Sequence, residues 1–158
     1  MVSILVASLI LACSSNSDKP TVNFQNIPDS IAKRYLDSLA WVIDKSIPLR
    51  ERGFPTNQKD KSYFEERPYF DSSGRLKKVV VYEFRSDSFI SYTDYHYWQG
   101  KFIQMRNDIS GSGKALGIAY YVFKDDKLID SASVIMKPIS ADTVLKRADV
   151  FKKRFEKL

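Results

Sequence analysis

Six stretches rich in Tyr, Phe, Val and Ile, each of strand length and each cut from the next by a turn signal, fill residues 62–137. A chain patterned this way closes hairpins between neighbouring strands, so an antiparallel meander is the expected topology. Strands are expected near 62–70, 75–85, 88–98, 101–108, 115–124 and 127–137. Asp71-Ser72-Ser73-Gly74 fits a type I turn completed by a left-handed glycine. Gln99-Gly100 and Asp125-Asp126 fit two-residue loops, where positive φ is tolerated, and Ser86-Asp87 is a less characteristic case of the same. Ser110-Gly111-Ser112-Gly113 reads as a longer connection.

Helical patterns flank the strands. Ile31, Tyr35, Leu39, Val42 and Ile43 recur at helical spacing, with Asp29 or Ser30 as cap and Pro48 as stop; Lys33, Arg34, Asp37 and Asp44 lie off that stripe. Residues 48–61 read as a polar loop with two prolines and a glycine. At the other end Ser140 caps a helix whose stripe is Val144, Ala148, Phe151, Phe155 and Leu158. The fold class is therefore α+β: an N-terminal helix, a six-stranded antiparallel meander, and a C-terminal helix packed on the sheet.

Closing Ser86-Asp87 as a two-residue loop puts Val79, Val81 and Glu83 on one face with Tyr92, Asp94, His96 and Trp98. Val80, Tyr82, Phe84, Tyr95 and Tyr97 then share the other. Neither face is polar, so either a helix covers each or one face holds a ligand. Gly117, Ala119 and Ala132 are expected to share a face that a helix approaches closely. Three turn-base-apolar triplets, Gly74-Arg75-Leu76, Gly100-Lys101-Phe102 and Asp126-Lys127-Leu128, stand 26 residues apart. Equal strand lengths in a meander account for that spacing without duplication.

Few residues are equipped for chemistry. His96 is the only histidine, and Asp94 two positions earlier shares its strand face, with Glu83 beside them in the expected register. A carboxylate-oriented imidazole is a usable base, and a hydrolase centred on His96 is one reading. No nucleophile motif accompanies it, and one nitrogen donor is too few for an ordinary metal centre. Ser110-Gly111-Ser112-Gly113-Lys114 lacks the glycine spacing and the following Ser or Thr of a phosphate loop. Neither a catalytic set, a metal set nor a cofactor is expected. Tyr92, Tyr95, Tyr97 and Trp98 on one strand, and Tyr120 and Tyr121 on another, serve chiefly as core; those left exposed suit a protein partner or a glycan. Tyr92, Asp94, His96, Tyr97 and Trp98 are accordingly the candidate ligand or partner surface. Lys146, Arg147, Lys153, Arg154 and Lys157 give the last helix a basic exterior suited to an anionic surface.

The N-terminus supplies an address. Residues 2–12 are an apolar run, and Leu9-Ile10-Leu11-Ala12-Cys13 resembles the lipobox of bacterial lipoproteins. The resemblance is confined to this stretch. It implies a signal peptide over residues 1–12, lipidation of Cys13 and a membrane-anchored envelope protein; Ser14 after the cysteine implies the outer membrane. Ser14-Ser15-Asn16-Ser17-Asp18-Lys19-Pro20 opens a flexible tether through residue 27, and residues 28–158 form one domain. Cys13 is the only cysteine, so no intrachain disulfide is available. The net charge of +6 suits anionic partners, and nucleic acid is not expected for an exported chain. The expected role is a non-catalytic binding or assembly module for an envelope protein or glycan, with a carrier of a small apolar or glycan ligand as the alternative.

Overall fold

The computed structural model describes Phe24 and residues 26–45, 50–51, 57–59, 62–85, 89–111, 114–134 and 138–156. Cys13 with the apolar run before it, the tether up to residue 23, Pro48, Ser86-Asp87, Ser112-Gly113, Lys157 and Leu158 lie outside the described residues. Helix α1 (Asp29–Lys45) precedes two short strands, β1 (Arg50–Glu51) and β2 (Asn57–Lys59). The meander follows as β3 (Ser62–Phe70), β4 (Leu76–Arg85), β5 (Phe89–Trp98), β6 (Lys101–Gly111), β7 (Lys114–Lys124) and β8 (Lys127–Ser133), and helix α2 (Ala141–Phe155) ends the fold. The α+β architecture expected from the sequence is present. Its long strands run in the order β3-β4-β5-β6-β7-β8, every neighbouring pair antiparallel.

The stretch read as a loop, residues 48–61, contributes β1 and β2, which pair with the outer edge of β3. They satisfy backbone groups that an edge strand otherwise leaves open. Their sequences, Arg-Glu and Asn-Gln-Lys, carry no strand signature.

The turns form as their residues dictate. Gly74 adopts φ 76° and its N–H donates to Asp71 O at 2.9 Å. Gln99 and Gly100 have φ 50° and 72°, and Asp125 and Asp126 have 49° and 64°. These are the two positive-φ residues of a type I′ hairpin, closed by the pairs Trp98–Lys101 and Lys124–Lys127.

One register differs from the expectation. Phe84 pairs with Ile90, and Val79 with Tyr95; a two-residue closure at Ser86-Asp87 would pair Phe84 with Phe89. The one-residue slip turns β4 over relative to β5. Val79 and Val81 thereby join Tyr95 and Tyr97, while Lys78, Val80 and Tyr82 join His96, Asp94 and Tyr92. Glu83, opposite Ser91, falls on the face away from His96. A register shift between Val122 and Phe123 acts similarly on β8: Ala119 pairs with Ser133 and Ala132 with Tyr120, so Ala119 and Ala132 occupy opposite faces.

A helix covers each face. On one, Val144, Ala148, Phe151 and Phe155 of α2 pack on Val79, Tyr95, Tyr97, Phe102, Met105, Tyr121 and Phe123. The stripe is the expected one, and Ser140 Oγ accepts from Thr143 N–H as its cap. Two sheet tyrosines tie α2 down: Tyr97 OH donates to Ala148 O at 2.9 Å and Tyr121 OH to Ile139 O at 2.6 Å. On the other face Leu36, Leu39 and Ile43 of α1 pack on Ile103 and Val122. The buried positions of α1 are Ala32, Leu36, Leu39, Ala40 and Ile43. The expected stripe was rotated, since Ile31 and Tyr35 are exposed. Alanines at two of the five buried positions let the helix lie close to the sheet. Phe24, inside the stretch read as tether, packs on Tyr35 with ring centroids 5.5 Å apart.

Candidate functional site

Register places one polar row across the sheet beneath α1. Lys78 pairs with His96, His96 with Gln104, Gln104 with Val122 and Val122 with Asp130. Three residues of α1 meet this row in order. Lys33 Nζ lies 3.4 Å from Asp130 Oδ2. Asp37 Oδ1 accepts from Gln104 Nε2 at 2.9 Å and from Tyr120 OH at 2.5 Å. Asp44 Oδ1 meets Lys78 Nζ at 2.9 Å and His96 Nε2 at 3.0 Å. The lengths match: the helical rise from Lys33 to Asp44 is about 16 Å, and four inter-strand spacings from β8 to β4 are about 19 Å. The helix lies across the strands with its charges in register with theirs.

The β4–β5 end of the row is the most charged. Tyr92, Asp94 and His96 share a face of β5, as alternation predicts. Asp94 Oδ1 stands 3.2 Å from Lys78 Nζ, so this ammonium bridges Asp44 and Asp94. His96 is only 2% exposed. Asp44, at the rim, keeps 32% of its side chain exposed. Burial disfavours the charge of Asp44, but the bonds from His96 and Lys78 outweigh it and hold the carboxyl at about 2. An ionised Asp44 only accepts, so His96 Nε2 carries the proton that faces it. Burial raises Asp94 above the usual carboxylate range despite Lys78 and His96. For Lys78, burial favours the neutral amine, yet Asp94 and Asp44 together hold it above the ordinary lysine value. Burial and the Asp94 carboxylate likewise raise the Tyr92 phenol.

Asp44, Asp94 and His96 present acceptor atoms all within 4.8 Å of one another, the donor types of a metal centre. Lys78 already stands between the two carboxylates. The cluster therefore carries its own cation, and a metal would have to expel it. As chemistry the arrangement is an ion-pair network that fixes α1, in which His96 Nδ1 is buried without a hydrogen-bond partner among the described residues. The trio Asp94, His96 and Glu83 does not assemble, because Glu83 is on the far face.

Trp98 belongs to the α1-side core and lies under the Lys77 ammonium, 4.6 Å from its ring centroid. Tyr97 is on the opposite face, buried under α2 with 1% of its surface exposed, and it packs the core. Asp44 and Lys78 were missed by sequence reasoning. The signal for Asp44 was its seven-residue spacing from Asp37, which puts both on one edge of the α1 stripe once that stripe is set on Ala32 and Leu36.

Beyond the helix, the same face continues as an open ledge. Tyr82 pairs with Tyr92 across β4 and β5, their centroids 5.2 Å apart, and Phe84 stacks beside Tyr82 at 6.4 Å. The Arg67 guanidinium lies 5.0 Å from the Tyr82 ring centroid. Ile90 is 41% exposed and Leu116 58%. Arg106 and Asp108 form an exposed pair next to them. Of the residues singled out in the sequence, Tyr92 alone borders this ledge.

The two carboxylates titrate with opposite consequences. The low value of Asp44 adds stability that is complete above 3.8 and is lost as pH falls through about 2. The raised value of Asp94 favours the folded state below the ordinary carboxylate value and loses that advantage as pH rises through its own. The Asp44 effect is on the order of 1 kcal/mol, after allowing for its solvent exposure. Asp44→Asn is expected to cost more stability at pH 4 than at pH 2, and Asp94→Asn to gain relative to the native chain as pH rises above 4. Urea unfolding at stepped pH measures both; a constant difference across pH for either variant contradicts the assignment.

No protein-family model, no curated protein and no solved structure matches this chain.

Proposed function

We propose that this protein is a lipid-anchored component of a bacterial envelope that binds a protein partner without catalysis, through the open ledge beside α1. The observation that carries the reading is the ledge itself. Tyr82, Phe84 and Tyr92 are half-buried beside the exposed Ile90, with Leu116 exposed two strands further on β7, on a sheet face whose other half α1 covers. Exposed aliphatic side chains next to aromatics favour a protein over a glycan, since sugar rings stack on aromatic faces and gain little from Ile and Leu. The His96 cluster speaks against the hydrolase reading, because His96 is almost fully buried and Lys78 stands between the two carboxylates. A carrier that encloses its ligand between helix and sheet is disfavoured too, since side chains of α1 and α2 fill the centres of both layers.

The anchor is the lipobox resemblance at Cys13, and mass spectrometry of the N-terminal fragment tests it through the mass of the acyl groups. For the ledge, a photo-crosslinking residue at position 116 is expected to trap one discrete envelope protein, and Ile90→Asp in the same chain to abolish the product. The same probe at exposed Asp142, on α2, serves as control. Equal products at both positions, or none at 116, would overturn the ledge. Capture of glycan there instead would overturn the choice of a protein partner.

A further inference from the structure

A cleft of about 350 Å³ opens on the α2 side, between that helix and the turns of two hairpins. Tyr97, Phe102, Leu145 and Ala148 are among its lining, and Lys101, Lys146 and Lys152 bring ammonium groups to it. Asp126 and Asp149 are its acidic members. Lys101 is engaged by Asp125, and Asp149 by Lys153 at 2.6 Å. Lys146 and Lys152 have no carboxylate partner among the described residues, and Lys152 Nζ stands 3.9 Å from where a Cβ on Gly100 would be. The cleft thus offers two uncommitted cations, with the Asp126 carboxylate beside them, over an apolar floor; the balance is cationic, which suits an anionic amphiphile.

The place where the chain enters the domain adds a second observation. Lys124, last residue of β7 before the turn that lines the cleft, donates to Ile27 O at 2.6 Å and pairs with Asp29 at 3.0 Å. The segment leading from Cys13 therefore arrives at the same end of the sheet as Gly100, Lys101 and Asp126. From Cys13 to Phe24 is eleven residues, about 40 Å at full extension, so this end stays near the bilayer that holds the acyl chains.

We propose that this cleft binds the glycerophosphate headgroup of an anionic phospholipid in the anchoring membrane, with Lys146 and Lys152 on the phosphate and Phe102 and Leu145 against the glycerol backbone. The inference rests on the lipid-anchor reading of Cys13. Binding there would hold the α2 side towards the bilayer and leave the ledge, on the opposite face of the sheet, turned away from it. A single weak headgroup contact suffices, because the tether keeps the local lipid concentration high.

The test uses the full chain with Cys13→Ser, which carries no acyl group. Amide NMR shifts are followed during titration with dihexanoyl-phosphatidylglycerol below its micelle concentration, with dihexanoyl-phosphatidylcholine, and with inorganic phosphate. Saturable shifts at Gly100, Lys101, Leu145 and Lys146 are expected with phosphatidylglycerol. Binding should be about tenfold weaker with phosphatidylcholine and about tenfold weaker in Lys146→Gln/Lys152→Gln, and unchanged in a control pair, Lys45→Gln/Lys114→Gln. Equal response to inorganic phosphate would overturn the lipid assignment, leaving a phosphate site. Equal response to both lipids, indifference to the lysine substitutions, or no shift at these amides would overturn the site altogether. Acylation of Cys13 is read separately by mass spectrometry, so failure of the anchor and failure of the cleft are distinguishable.

Discussion

Lys78→Met is expected to lower the stability of the fold by about 3 kcal/mol, the usual cost of removing one member of a buried ion pair. Lys78 sits between Asp44 and Asp94, at 2.9 and 3.2 Å. Asp44 is at the rim and keeps His96 as a donor, so it tolerates the loss. Asp94 is buried and already raised by burial even with the ammonium beside it. Without Lys78 it must either stay charged in an apolar site or take up a proton, and both options favour unfolding. The same reasoning predicts rescue. Lys78→Met/Asp94→Leu replaces the pair by apolar groups on a face that already carries Val80, and should return to within about 1 kcal/mol of the native chain. Urea titration of the two single variants and the double variant closes the cycle. Additive losses with no rescue would mean that the bridge is a surface pair of small worth.

The comparison of sequence with structure separates signals that are local from those that are not. Hairpins at Gln99-Gly100 and Asp125-Asp126 were legible because positive φ selects few residue types, and those were present. The face of α2 was legible because its stripe has no rival: Val144, Ala148, Phe151 and Phe155 are apolar, and the flanking positions are mostly charged. The face of α1 was not. Ile31 and Tyr35 are apolar and stand next to the buried stripe, so hydrophobic periodicity had two overlapping solutions that share Leu39 and Ile43. The observed one is selected by tertiary partners, since Asp37 and Asp44 find Gln104 and His96 only in that rotation. The β4–β5 register was lost for a similar reason. Both strands are apolar or aromatic on both faces, so a one-residue slip leaves a sequence that looks equally sound. That slip removed Glu83 from the expected constellation and put Lys78 in its place. Tyr97 was drawn towards the surface by its neighbours in sequence, whereas alternation along β5 sends it with Tyr95 to the α2 side.

The asymmetry between the two helices yields the second large effect. Phe151→Ala is expected to destabilise by about 3–4 kcal/mol, the range for emptying an aromatic site in a core. Phe151 packs edge-on to Tyr95 at 5.0 Å and beside Phe155 at 6.2 Å, so its removal leaves a cavity bordered by two buried rings. Tyr97 OH holds the helix backbone at Ala148, one turn earlier, and prevents α2 from sinking to fill the space. A helix of 15 residues has little stability of its own, so its docking and its existence are lost together. Trp41→Ala removes a larger side chain, yet with 61% exposure it should cost no more than about 0.5 kcal/mol. Thermal unfolding of the two variants orders them directly. A loss at Trp41 as large as that at Phe151 would mean that its ring is buried in the folded protein, against its exposed place on the outer side of α1. A small loss at Phe151 with Tyr95 still buried would mean that α2 can collapse onto the sheet, and that the tyrosine bond at Ala148 does not set its height.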